Sequence, residues 1–322
     1  VVRADLEAFL TERAIAIKQY EFDRTVPGKL SAANTRYRDS YPPVGAGLFD
    51  IQRTEVDALV TAIGDAESPR TIALAGPAGS GKSVIIRKAL AKIGSGSGPV
   101  LVFRVDELTG VSSLSDLGET TIEIDDSPAV VLQQLAGQNQ AILIIDQADA
   151  VSDMSGRASA VRRVLLNLLT QARHYRQLTV VFSCRSFDLE NDHGFRAIAD
   201  PKFCTRIDIA PLRWIEDVLP VAKQLGIGVD QASPKMQALL CQPIGLAIAA
   251  ELARTGPDRH LDPRHRRARG KDRRHRRAGP PLGHDAWLFG EHRARPVALR
   301  RDRALRDRGI RGHQPRAAGP CG

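Results

Sequence analysis

Eight residues, "GPAGSGKS" from Gly76 to Ser83, have the spacing G-x-x-x-x-G-K-[ST]. That spacing suits one task, the wrapping of main chain around a phosphate. Gly76, Gly79 and Gly81 allow the dihedrals and close approach that turn successive N–H groups inward, with Pro77, Ala78 and Ser80 completing the loop. Lys82 would neutralise β- and γ-phosphate oxygens as a point charge, and the Ser83 hydroxyl would ligate Mg²⁺. The expected ligands are therefore ATP or ADP with Mg²⁺. A Gly-rich turn can match the pattern by chance, but then it lacks the strand before and the helix after that the chemistry needs.

A second stretch, "ILIIDQADAV" (142–151), delivers Asp146 from an apolar run. A carboxylate there would lie at the carboxyl end of a buried strand and hold Mg²⁺ through water. Capping of the next turn is the plainer role. Beside it stands Gln147, where hydrolytic sites often carry a glutamate. A neutral amide orients water but accepts no proton, so the candidate base is Asp149, three residues past Asp146; Asp149 also suits a cap. A third stretch, "VVFSCR" (180–185), brings Ser183 and Arg185 to the same edge. Ser183 would hydrogen-bond the attacking water or the γ-phosphate, and Arg185 would sense γ-phosphate charge. An isolated arginine leaving a strand is ordinarily just solvated. Here it follows two other motifs in the right order.

These residues need a scaffold that ends its strands together. Apolar runs at 71–75, 100–105, 141–145, 178–183 and 205–210 read as strands. Helical periodicity appears near 83–92, 128–136, 157–176 and 192–199, with Ser127–Pro128 as a cap and first-turn pair. "IQRTEVDALVTAI" (51–63) is a further amphipathic helix, its Arg53 expected in solvent. Such alternation predicts an α/β fold: a five-stranded, mostly parallel sheet sandwiched by helices. Past residue 211 the pattern is helical without strands, predicting a small α-helical appendage over 211–253. Trp214 there suits packing better than base stacking. Residues 1–50 read as a helix and an extended lead-in ("YPPVGAGLF"), and 51–210 as the core. His174 and His193 have no partner at metal-ligand spacing and read as surface residues.

Composition narrows the classes. Hydrophobic residues make up 43% and charged residues 26% of the 322, ordinary for a globular chain. No apolar run reaches the roughly 18 residues of a membrane span. The four cysteines contain no C-x-x-C pair, which fits free thiols in a reducing cytoplasm better than a disulfide or zinc scaffold. The net charge of +9 is uneven. Residues 254–322 hold 20 Lys and Arg against 7 Asp and Glu, a net +13, leaving 1–253 at −4. Of those 20, 19 are Arg, without any helical or strand period. A basic, disordered tail on nucleic-acid phosphates is one reading. A GC-rich gene read out of frame is the other: it yields this Arg, Gly, Pro, Ala and His mixture, and the helical pattern stops abruptly at "AAELART". Val1 in place of Met points to a fragment or an alternative start.

Together the three motifs resemble the signal-transduction ATPases with numerous domains, a branch of P-loop NTPases near the AAA-type ATPases. Gly76–Ser83 is a full Walker A match, Asp146 and Asp149 match the D-x-x-D of Walker B, and Ser183 and Arg185 match a strand of the form hhhh-T-x-R with Ser for Thr. "CQPIGL" (241–246) is similar to the family's G-x-P motif, with Pro243 retained and Cys241 replacing the glycine. "DQADAVSDMSGR" and "CRSFDLEND" are also similar to a group of bacterial ATP-binding proteins of this type. The resemblance covers about residues 45–253. It implies an ASCE-type core with the Ser183 strand between the P-loop and Walker B strands. It also implies a nucleotide-driven switch in cytoplasmic signalling or defence, homo-oligomerisation on activation, and flanking effector and sensor domains that this chain does not show. The expected function is thus an ATP-binding switch with slow hydrolysis. The alternatives are a nucleic-acid-processing motor, which would want a catalytic glutamate and a basic core, and a truncated pseudo-ATPase.

Overall fold

In the computed structural model, the described residues are 9–10, 12–13, 18–40, 49–65, 67–93, 98–153, 159–229 and 231–255. The expectations for the "YPPVGAGL" lead-in and nearly all of 254–322 fall outside them. Helix α1 (Val26–Asp39) and α2 (Thr54–Gly64) precede β1 (Thr71–Ala75). Then come α3 (Lys82–Ile93), β2 (Val100–Arg104), α4 (Leu114–Ile122), α5 (Pro128–Ala136) and β3 (Ala141–Asp146). After α6 (Ser159–Ala172) follow β4 (Leu178–Cys184), the short α7 (Ser186–Asn191) and α8 (His193–Ile198), and β5 (Cys204–Asp208). A π-helical turn leads into α9 (Leu219–Leu225), and α10 (Pro234–Leu240) and α11 (Pro243–Thr255) complete the appendage.

The strands pair in parallel in the order β2-β3-β4-β1-β5. This is the expected sheet, with the Ser183 strand between those of the P-loop and Asp146. The central strands are buried along their whole length because helices cover both faces. Side chains alternate between two cores: Ile72, Leu74, Ile142 and Ile144 join α2 and α3 on one face. Ala73, Ala75, Leu143 and Ile145 join α5 and α6 on the other. A buried Ile or Leu in either layer contributes roughly 1.5–3 kcal/mol. The appendage has its own small core of Leu212, Val218, Val221, Leu240 and Leu246, against which Trp214 packs.

Several local expectations are corrected. The helix expected at 157–176 ends at Ala172, where turns at His174 and Tyr175 lead into β4. The strand expected at 205–210 is Cys204–Asp208. Helices α4 and α7 were not expected. In α4 a Ser113–Asp116 capping box stops the chain between strands from running extended. Helix α1, within the segment 1–50 read as a helix and a lead-in, lies along β2, an edge of the sheet. Asn34 completes that edge: its Nδ2 donates to Val100 O at 2.8 Å and its Oδ1 accepts from Val102 N at 2.9 Å. The side-chain amide thus takes the ladder positions of a sixth strand. Arg53, expected in solvent, is largely buried, because it pairs with Glu55 at 2.7 Å and donates to Ala210 O at 2.6 Å. Among the described residues no single helix is long and apolar enough to cross a membrane.

Candidate functional site

β1 ends at Ala75 and the chain turns at once into the Gly76–Ser83 loop. The loop is stitched to the neighbouring strand end by Gly76 N to Cys184 O and Ser186 N to Gly76 O, both 3.4 Å. Gly79 and Gly81 have φ of +75° and +91°, the left-handed region that glycine alone enters freely. A Cβ at Gly79 would sit 2.4 Å from the Ile244 side chain, so that position must be bare. Lys82 opens α3 and turns back over the loop, its Nζ donating to Gly76 O at 2.9 Å and Pro77 O at 3.0 Å. Burial lowers the Lys82 pKa, opposed by the nearby carboxylates of Asp149 and Asp146.

Around this loop lies a cavity of about 320 Å³ whose walls include Ala78, Gly79, Gly81, Lys82, Ser83, Gln147, Asp149, Arg185 and Pro243. Residues from four separate parts of the sequence thus meet at the carboxyl edge of the sheet. Pro243 and Ile244 come from the first turn of α11, which docks on the loop through Ile244 N to Gly79 O at 3.2 Å. A larger cavity of about 990 Å³ lies between α1, α3 and the start of β2 and contains none of the motif residues.

Asp146 is 1% exposed and does not line the cavity wall. Its Oδ1 accepts from Ser183 Oγ at 2.5 Å and from Gln147 N at 3.0 Å; its Oδ2 accepts from Tyr37 Oη at 2.9 Å. Ser183 is fully buried and also accepts from Gln147 N at 2.9 Å. Ser183, expected at the water or the γ-phosphate, makes both its hydrogen bonds to the Asp146 turn. Gln147 has φ of +58°, a left-handed conformation uncommon outside glycine. With its amide oriented to satisfy both ends, it donates to Asp106 Oδ2 at 3.2 Å and accepts from Arg104 at 3.1 Å. Arg104 in turn grips Asp106 through two bonds of 3.0 and 2.6 Å. Arg185 is 54% exposed and its Nε contacts Asp149 Oδ2 at 2.8 Å. The sensor and the base proposed from sequence are thus paired with each other. Burial raises the Asp149 pKa, with Asp188 adding to it and Lys82 and Arg185 pulling against it.

Two buried polar atoms here lack a protein partner, Ser80 Oγ and Asp149 Oδ1. Of these, Asp149 lies on the cavity wall, where its unpartnered oxygen can accept from a bound group or water. Together with the bare glycine cradle and the 12-residue α3, whose first turn follows the loop, the residues fit a nucleotide's phosphates. The oxygen donors Ser83 and Asp146 are of the kind that suits Mg²⁺, a hard cation. Tyr37, Arg104 and Asp106 were not singled out from sequence. Tyr37 follows Leu30, Ala33 and Asn34 at helical spacing, a signal of a buried face, but nothing local indicates a partner 109 positions away.

Strand order, loop and carboxylate define a P-loop nucleoside-triphosphatase fold. Residues 72–193 match the model of the family of ATPases associated with various cellular activities (AAA). Among solved structures the chain is similar to the Walker-type ATPase paby2304 of Pyrococcus abyssi, at 17% identity and a TM-score of 0.48, over 75% of this chain and 79% of that one. It is also similar to AMPPCP-bound DnaA from Aquifex aeolicus, at 10% identity and a TM-score of 0.43, over 69% and 68%. The FIGL-1 AAA domain in complex with ADP shares 15% identity at a TM-score of 0.39, over 76% and 96%. No curated protein matches the chain.

Proposed function

We propose that the chain is an ATP-binding, slowly hydrolysing molecular switch, with 51–210 as the ATPase core and 211–253 as the start of a helical subdomain. The carrying observation is the Arg185–Asp149 pair at 2.8 Å on the cavity wall. Arg185 has to leave Asp149 to meet a third phosphate, and its exposure makes that exchange cheap, about 1 kcal/mol or less. When it leaves, Asp149 is freed toward a water. One residue then reports the third phosphate and its partner becomes available as a base. Lys82 and the loop N–H groups hold the phosphates, Ser83 and Asp146 hold Mg²⁺, and bound Mg²⁺ supplies charge neutralisation. Gln147 supports slow turnover, since it takes the place of a base and is already engaged by Arg104 and Asp106.

A switch needs a contact that differs between its two ligands, because equal affinity for both states shifts nothing. Arg185 is that contact. We place the protein in cytoplasmic signalling or defence of the numerous-domain ATPase type, with homo-oligomerisation as the output of the ATP state. The test is to measure retained nucleotide and turnover of the chain with and without DNA. Bound ADP or ATP and turnover of about one per minute or slower, unchanged by DNA, is expected, well below the median enzyme rate of roughly 10 per second. DNA-stimulated turnover would instead establish a nucleic-acid motor, and no retained nucleotide a pseudo-ATPase.

A further inference from the structure

α1 reaches the nucleotide site through one hydroxyl. Tyr37 is 4% exposed, and its ring packs in the core between α2, α3 and the sheet. Only its Oη is committed to a polar partner, Asp146 Oδ2 at 2.9 Å. A carboxylate offers about four acceptor positions. On Oδ1 two are filled, by Ser183 Oγ and Gln147 N. On Oδ2 Tyr37 fills one, leaving a single acceptor position whose direction is set by the other three bonds. Rotation of the carboxylate would break them all, and in a buried setting each unmade bond to a charge is costly.

We infer that Tyr37 is a positioning residue: it aims the remaining Asp146 lone pair toward the cation of the nucleotide complex. The inference rests on the reading of Asp146 as the metal-holding carboxylate. Tyr37 is itself held from outside the site. Asn34, one helical turn earlier, is bonded to both Val100 O and Val102 N of the edge strand. Arg36 donates to Thr121 O at 2.8 Å, tying α1 to α4 as well. The position of α1 on the sheet edge therefore sets the geometry of Asp146, and a shift of that helix withdraws the hydroxyl. Partners behind a metal ligand commonly govern metal affinity without touching the metal.

Tyr37→Phe removes the hydroxyl and keeps the ring. The readouts are ADP affinity in EDTA and the Mg²⁺ concentration giving half of the Mg²⁺-dependent rise in melting temperature at saturating ADP. The expected result is unchanged ADP affinity in EDTA and a half-point raised about tenfold. Asn34→Ala, which loosens α1 without touching Asp146, is the second variant and is expected to raise the half-point by a smaller factor. An unchanged or lowered half-point in Tyr37→Phe overturns the inference, as does an equal loss of ADP affinity with and without Mg²⁺, which marks packing alone. Asp146→Asn separates the two readings. If it abolishes the Mg²⁺ effect while Tyr37→Phe keeps the parental half-point, only the role of Tyr37 falls. If the parent shows no Mg²⁺ effect, both fall.

Discussion

Two loops leave the sheet side by side, one after β1 and one after β3, and they are held in different ways. The β1 loop is shaped by its own residues. Its glycines take the positive φ values, Lys82 bonds back to carbonyls five and six positions away, and Ser80 Oγ is left without a partner. The β3 turn is shaped by distant chain. Asp146 is held by Tyr37 and Ser183, Gln147 by Arg104 and Asp106, and Asp149 by Arg185. The first is a cradle prepared for a ligand; the second is a set of side chains already bonded to one another, which a ligand must rearrange. Binding affinity should therefore depend chiefly on the first loop, and response to the identity of the nucleotide on the second.

The largest expected effect lies in the cradle. Lys82→Ala should weaken ATP and ADP alike by roughly 100-fold or more, since hydrogen bonds to charged groups contribute about 1.5–3 kcal/mol each. Calorimetry with ADP checks this; parental affinity in the mutant would remove Lys82 from the site. In the β3 turn the effect should appear in rate instead. Asp149→Asn is expected to slow residual hydrolysis by roughly 10²–10⁴-fold while ATP still binds. Gln147→Glu should raise turnover or leave it unchanged. Parental turnover in Asp149→Asn would place the base elsewhere, and loss of turnover in Gln147→Ala alone would give the water-positioning role to the glutamine.

The same Asp149→Asn protein carries a pH signature. The folded-state pKa of Asp149 lies above its ordinary value, chiefly through burial, with Asp188 adding to it and Lys82 and Arg185 opposing. The folded state then holds its proton longer than the unfolded chain, so stability is lost as pH rises through that interval. Without nucleotide, Asp149→Asn should melt higher than the parent at pH 7, and the gap should close as pH falls toward the ordinary carboxylate range. A gap that widens on acidification would contradict the burial. The smallest effect is expected from Arg185→Ala: about tenfold less preference for ATP over ADP, from one charge-assisted contact, with ADP affinity nearly unchanged. Equal losses for both nucleotides would count against a sensor.

The amino-acid sequence alone determined what depends on neighbours in the chain. The five apolar strands, the helices that follow four of them, and the spacing of Gly76–Ser83 are local, because side-chain period and backbone dihedrals are set within a few residues. The motifs Asp146-Gln147 and Ser183-Cys184-Arg185 could be placed at strand ends for the same reason. The roles of their side chains could not. Ser183 was expected at the γ-phosphate and instead braces Asp146, since it faces β3 across a register that only sheet pairing creates. Arg53 left solvent because Glu55 and the carbonyl of Ala210, just past β5, engage its guanidinium. Helix α1 has ordinary periodicity, yet Tyr37 meets Asp146 only once Asn34 has seated the helix on the edge of β2. Hydrogen bonds between groups far apart in sequence depend on how strands and helices stack, and that stacking is decided by burial of the two cores as a whole, which no short stretch of residues encodes.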